Sequence, residues 1–202
     1  PASRKVYMTD NIIRLDEFVI SGNRVEEKRS DLPYKIEVIQ AREIAFDNPQ
    51  TAAIMLEQTG QVFVQQSQLG GGSPVIRGLE ANKVLMVIDG VRMNNAIYRS
   101  GHLQNAITVD PISLGSTEIL YGPGSVIYGS DALGGVINFI TANPTLSATK
   151  RLLVKGSALL RYASANQEKT GGFNLSLGLK KWGFLTSFSY SDFDDLREGT
   201  VY

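Results

Sequence analysis

SPVIRGL (73–79), NKVLMVIDGVRMNN (82–95) and STEILYGPGSVIYGSDALGGVINFIT (116–141) follow one another through the middle of the chain. Brief β-branched runs alternate there with Asp-Gly, Gly-Pro and Gly-Gly pairs. That grammar predicts several short strands joined by tight turns that need glycine. KVLMVID (83–89) is almost wholly apolar, so it is expected to be a strand buried on both faces. STEILY (116–121) and GGVINFIT (134–141) read as further strands of the same sheet. Gly90, Gly122, Gly129, Gly134 and Gly135 fall where strands end or chains approach closely, a structural role for residues without Cβ.

Upstream, KIEVI (35–39) reads as a strand and the pattern turns helical from Gln40. Asp47-Asn48-Pro49 offers a capping side chain before a proline at the first helical position, and Gly60 closes the segment. Ala52, Ile54, Met55 and Leu56 supply its apolar stripe. VFVQQ (62–66) and PVIRG (74–78) are expected as strands on either side of a pliant SQLGGGS loop. Asp110-Pro111 repeats the cap-and-proline signal and opens a short helix. The expectation is an α+β unit with a small mixed sheet over 34–142, preceded by an extension over 1–33 and followed by strands over 143–202.

The downstream pattern differs. Phe173, Leu175, Leu177 and Leu179 alternate with Asn174, Ser176 and Gly178, and Trp182, Phe184, Phe188 and Tyr190 alternate with Gly183, Leu185, Ser187 and Ser189. Val154, Ala158, Leu160 and Tyr162 form a weaker third face. Strict period two with one bulky apolar side suits strands facing lipid, and equally an ordinary soluble antiparallel sheet. Trp182 and Tyr190 near strand ends favour a membrane aromatic girdle.

Twenty basic and twenty acidic residues cancel, so no global field recruits nucleic acid. With no cysteine and one histidine, His102, thiolate metal sites are excluded and a histidine-based triad has a single candidate base. The glycines match neither G-x-x-x-x-G-K-[ST] nor a G-x-G-x-x-G opening a helix, and no catalytic residue is assigned. The expectation is a protein that is not an enzyme and holds no resident metal or cofactor. No apolar run is long enough for a membrane helix, and the chain opens at Pro1 without a signal sequence; either a signal has been removed or the chain lies within a longer protein.

R-G-L at 77–79, V-x-x-V-I-D-G-V-R at 84–92 and T-E-I-L-x-G-P-G-S-x-x-Y-G-S-x-A-L-G-G-V-I-N at 117–138 together resemble the N-terminal plug of TonB-dependent outer-membrane receptors. The resemblance implies a plug followed by the first antiparallel strands of a transmembrane β-barrel. Three strands cannot close a barrel, and an open edge would strand unpaired backbone groups in lipid, so the chain is expected to be a fragment of a larger receptor. Its implied partners are TonB, the energy-transducing protein of the periplasm, the receptor's own barrel and outer-membrane lipid. The implied cargo is a small molecule or haem protein, such as haem or an iron chelate.

Within that family a TonB box lies near the plug, which points to Asp16, Glu17, Phe18, Val19 and Ile20 in LDEFVIS (15–21). An extended segment tethered by the charged linker GNRVEEKRSDLP (22–33) suits β-augmentation, and it equally suits a plain linker strand. Ordered structure is expected to begin at Tyr34. Arg77 and Glu118 are charges set in apolar strands and need partners. The family's paired arginines lock the plug to barrel glutamates. Arg77 keeps the first of them, Tyr121 stands in place of the second, and Glu118 is left as an intra-plug partner for Arg77; local surface ion pairs are the alternative. Two polar loops, 65–73 and 94–105, are the candidates for cargo contact. The second carries Asn94, Asn95, Tyr98, Arg99, His102 and Gln104, and its wording, NAIYRSGHLQN, is similar to that of haem or haemoglobin receptors. His102 is either a haem-iron ligand or a polar loop residue. A soluble periplasmic ligand-binding or interaction module without a barrel is the alternative function.

Overall fold

The computed structural model describes residues 18–19, 27–28, 33, 35–67, 71–80, 83–93 and 104–194. Its centre is a five-stranded sheet in the order β3 (Lys35–Gln40), β8 (Leu114–Tyr121), β9 (Gly135–Thr141), β6 (Val84–Ile88), β7 (Val91–Arg92). Neighbours are antiparallel except β6 and β9, which run parallel. The apolar run predicted at 83–89 is indeed covered on both faces: Val84, Leu85, Met86 and Val87 are all buried. On one face Met86, Ile119, Ile137 and Phe139 pack with the helices and the hairpin formed by β4 (Val62–Ser67) and β5 (Gly71–Ile76). On the other, Ile36, Leu85, Val87, Leu120 and Val136 pack with Tyr128 of the short helix α3 (Ser125–Tyr128) and with Ala132. Mixed polarity of strand direction with helices beside the sheet is the expected α+β class.

Two glycines show why the breakers sit where they do. Asp89 and Gly90 both take positive φ, 48° and 78°, and Ile88 pairs with Val91 around them. This is the two-residue turn whose twist matches a hairpin. The Asp89 carboxylate accepts hydrogen bonds from the Thr141 N–H at 2.9 Å and its hydroxyl at 2.7 Å, tying the turn to the end of β9. At Gly135 a Cβ would lie 2.6 Å from the Leu120 carbonyl oxygen and 2.9 Å from Ile76 Cδ1, so only glycine lets β8, β9 and β5 close together.

The helical segment departs from expectation. It forms two helices, α1 (Ala41–Asp47) and α2 (Ala52–Gln58), and Asn48-Pro49 ends the first instead of opening the second. Asn48 adopts the left-handed conformation, φ 46°, and its N–H donates to the Ile44 carbonyl. Asparagine tolerates that region and proline cannot continue the helix, so the pair stops it. Thr51 is the actual cap of α2, its hydroxyl accepting from the Ile54 N–H at 3.2 Å. At Asp110-Pro111 the expected cap is present: Asp110 accepts from the Ile112 N–H at 2.9 Å and opens the 3-10 turn Pro111–Ser113. The loop foreseen over 67–73 is shorter than expected, because residues 71–73 pair with 65–67 in the β4–β5 hairpin.

Beyond residue 142 three long strands form a separate sheet: β10 (Leu153–Ala163), β11 (Glu168–Gly178) and β12 (Gly183–Asp192), antiparallel and in unbroken register. At 10 or 11 residues each they have the length of barrel-spanning strands. Among the described residues this sheet has three strands and is open at both edges.

Candidate functional site

The three-stranded sheet has two unlike faces. Val154, Leu160, Tyr162, Phe173, Phe184, Phe188 and Tyr190 project from one side and are exposed. Phe173 and Phe188, cross-strand neighbours, stack with ring centroids 5.9 Å apart. Small and polar side chains, together with Leu159 and Leu185, line the other side and meet the globular unit. Asn174 Nδ2 donates to the Ile112 carbonyl of that unit at 3.0 Å, and Ser176 Oγ accepts at 3.0 Å from the N–H of Thr145, in the segment that leads into β10. Gly172 leaves room for Ile112, whose Cδ1 would lie 3.0 Å from a Cβ there. The alternation therefore separates an apolar exterior from a polar, docking interior.

Packing across this junction is incomplete. A cavity of about 410 Å3 separates α1 from the sheet, lined by Ile44, Ala45, Ile112, Leu159, Gly172 and Leu185 among others. Beside it lies a polar cluster. Arg161, only 12% exposed, donates from Nε to Glu168 Oε1 at 2.7 Å. Its Nη1 donates to the Asn48 carbonyl at 3.1 Å, Asn48 Oδ1 at 2.7 Å and the Pro49 carbonyl at 3.1 Å. Glu168 is wholly buried and also accepts from Gln50 Nε2 and from the Thr170 hydroxyl. No motif draws attention to these two residues. The available signal was a charge on each strand of one hairpin, both on the polar side of the alternation.

Of the residues singled out in the N-terminal segment, Phe18 and Val19 form β1 (Phe18–Val19), paired with β2 (Glu27–Lys28). Val19 is fully buried among Ile36, Leu85, Val87, Leu120, Tyr128, Ala132 and Val136. Structure therefore begins ahead of Tyr34, inside what its charge suggested was a bare linker. Asp16, Glu17 and Ile20 lie outside the described residues. So do Asn94, Asn95, Tyr98, Arg99 and His102, while Gln104 begins the 3-10 turn Gln104–Thr108.

Arg77 lies outside any strand, correcting the expectation of a charge embedded in β5. It occupies an exposed turn at φ 53°, where Ile76 and Leu79 bond each other's backbones. Glu118 is buried in β8, between Val38 and Asn138. Among the described residues no ion pair joins Arg77 to Glu118. Tyr121 ends the same strand, three residues after Glu118: its hydroxyl donates to the Glu37 carboxylate at 2.6 Å, and the Lys35 ammonium lies 5.2 Å from its ring centre. Burial, then the bond to Glu37, pushes the phenol well above its ordinary range, so Tyr121 stays a neutral donor where a second arginine was expected.

A compact mixed sheet docked on the polar side of barrel-length strands, whose other side is apolar, has the architecture of a stopper lying against the inner wall of a membrane barrel. Residues 28–136 match the TonB-dependent receptor plug domain, and the chain belongs to that family. It is 32% identical over 172 residues to the vitamin B12 transporter BtuB of Vibrio vulnificus, covering 84% of this chain and 27% of that protein. It is 30% identical over 194 residues to the hemin receptor of Yersinia pestis, covering 93% of this chain and 27% of the relative. The chain thus spans about a quarter of the length of these relatives. In fold it is similar to the pyoverdine outer-membrane receptor FpvA of Pseudomonas aeruginosa, with a TM-score of 0.65 at 19% identity over 79% of this chain and 22% of that one.

Proposed function

We propose that this chain is the plug, 34–142, and the opening wall, 143–202, of an outer-membrane receptor that gates energy-dependent uptake of a scarce nutrient. The observation that carries this reading is the two-faced sheet, apolar outward and hydrogen-bonded to the plug inward through Asn174 and Arg161. Haem or an iron chelate is the favoured cargo class: the Yersinia relative is a hemin receptor, and the loop over 94–105 is worded like haem receptors. In this scheme Asn94, Asn95, Tyr98, Arg99, His102 and Gln104 meet cargo from outside, and haem is carried as cargo with no resident cofactor involved. The work is transport, without bond-making chemistry.

The segment over 16–20 is the handle for TonB on the periplasmic side. Val19 holds it against the plug core, together with a two-residue ladder. Burying one valine is worth about 1.5–3 kcal/mol. On that contact alone, the released form is populated at roughly one part in ten to one in two hundred. A modest preference of the cargo-bound plug for the released state is then enough to present the handle. TonB adds a strand to it through main-chain hydrogen bonds and pulls.

The test uses the complete receptor in intact cells. Uptake of haem, a ferric siderophore and cobalamin is measured with and without TonB. Uptake of one of them that stops when TonB is removed is expected. Uptake that continues unchanged without TonB would overturn the proposal.

A further inference from the structure

The polar cluster around Arg161 has no part in the scheme so far. Arg161 is a wall residue, yet three of its four hydrogen bonds go to the turn at 48–49, and the fourth fixes its guanidinium on Glu168. Glu168 in turn receives Gln50. Helix α1 has no basic residue in its own last turn, and the carbonyls of its cap Asn48 and of Pro49 just beyond are met by a cation from the wall. A planar guanidinium can satisfy several carbonyl acceptors at once while paired to a carboxylate, which an ammonium cannot do in the same geometry. The neighbouring junction is a cavity, so the close attachment of this part of the plug to the wall is made at this cluster.

Strand connectivity gives the cluster its consequence. Among the described residues β3 is the edge strand of the five-stranded sheet, paired only with β8, and it lies immediately before α1. Tension entering from the N-terminus meets β1, β2, β3 and α1 in that order and then reaches residues 48–50. Removing β3 leaves β8, β9, β6 and β7 paired as before.

We infer that Arg161 and Glu168 are a latch that seats the 48–50 turn on the barrel wall, so that the portion drawn away under tension ends at Asp47 and the portion from Asn48 onward stays in place. This rests on the pulling mechanism proposed above. Arg161 and Glu168 act as positioning residues: they touch the plug backbone, and no contact with cargo is invoked.

The test places single cysteine reporters in the complete receptor, one at Ile44→Cys ahead of the latch and one at Ala53→Cys behind it; both side chains are buried at rest. Labelling by a water-soluble maleimide is followed in cells with cargo, with and without TonB. With TonB, Ile44→Cys is expected to label at least tenfold faster while Ala53→Cys stays protected. Arg161→Met combined with Glu168→Met removes the latch without leaving a buried lone charge, and Ala53→Cys is then expected to label as fast as Ile44→Cys. Exchanging the two charges, Arg161→Glu with Glu168→Arg, is expected to behave like the double methionine variant, because a carboxylate at 161 would face the carbonyls of Asn48 and Pro49. Arg161→Lys, should the other variants fail to assemble, keeps the charge and is expected to restore only part of the protection. Labelling of both reporters in the unaltered latch, or continued protection of Ala53→Cys without it, would overturn the latch. Silence of Ile44→Cys in the presence of TonB would instead overturn the pulling mechanism and the latch with it.

Discussion

Deleting residues 15–21 from the complete receptor is expected to reduce uptake to the level seen without TonB, while cargo binding at the cell surface stays close to that of the intact protein. The separation follows from where the segment lies. In its described part, Phe18–Val19 pairs with Glu27–Lys28 and Val19 joins the plug core, whereas the candidate cargo residues lie between 94 and 104. Strand addition needs free main-chain donors and acceptors in an extended run, and deletion removes all of them at once. The deletion also withdraws Val19 from its cluster, so a gentler variant separates the two effects. Ile20→Pro takes away one backbone donor and fixes φ, and it is expected to impair uptake in the same direction while leaving Val19 in place. Transport measured in cells with either variant, beside surface binding of the same cargo, decides the matter. Undiminished uptake would remove this segment from the mechanism.

The second large effect is on the plug itself. Phe139 is fully buried in β9, the middle strand of the five, against the core face that includes Met86, Ile119 and Ile137. Phe139→Ala should cost about 3–5 kcal/mol, the transfer free energy of the ring plus the void it leaves. At 1.4 kcal/mol per tenfold, amide exchange in β6, β8 and β9 should accelerate by about a hundredfold to a few thousandfold, if these strands open together. Hydrogen exchange on the complete receptor reads this directly. Because β10–β12 form a separate sheet, exchange in those strands is expected to change little. Equal acceleration in both sheets would mean that plug and wall open as one unit, and unchanged exchange in β9 would remove Phe139 from the core.

Much of this arrangement was legible in the residues because local and global preferences agree there. The uninterrupted apolar run at 84–88 needs cover on both faces and receives it. Asp89-Gly90 is a hairpin turn by chemistry, and Asp110-Pro111 is a cap by chemistry, so both were visible. Period two in the last three strands placed the bulky residues on one face. What escaped depends on contacts between distant segments. Asp47-Asn48-Pro49 fits either the start or the end of a helix, and the choice is made by Asn48 entering the left-handed region with Thr51 capping the next helix. Val19 read as part of an extended handle, and its burial escaped notice because the cluster it joins is spread from Ile36 to Val136. Arg77 stood among apolar letters, yet the turn between Ile76 and Leu79 carries it out to the surface. Arg161 and Glu168 are brought to Asn48–Gln50 across more than a hundred residues, a pairing that no local pattern encodes.

Most direct is a nitroxide scan along β12 of the complete receptor in outer-membrane vesicles, reading collisions with oxygen and with a water-soluble nickel chelate. Labels at 184, 188 and 190 should be open to oxygen and closed to nickel, and labels at 185, 187 and 189 should lose that oxygen access, reproducing the period of two. Nickel reaching 184, 188 and 190 as freely as a water-exposed site would mean that these strands face water, and that no membrane wall surrounds the plug.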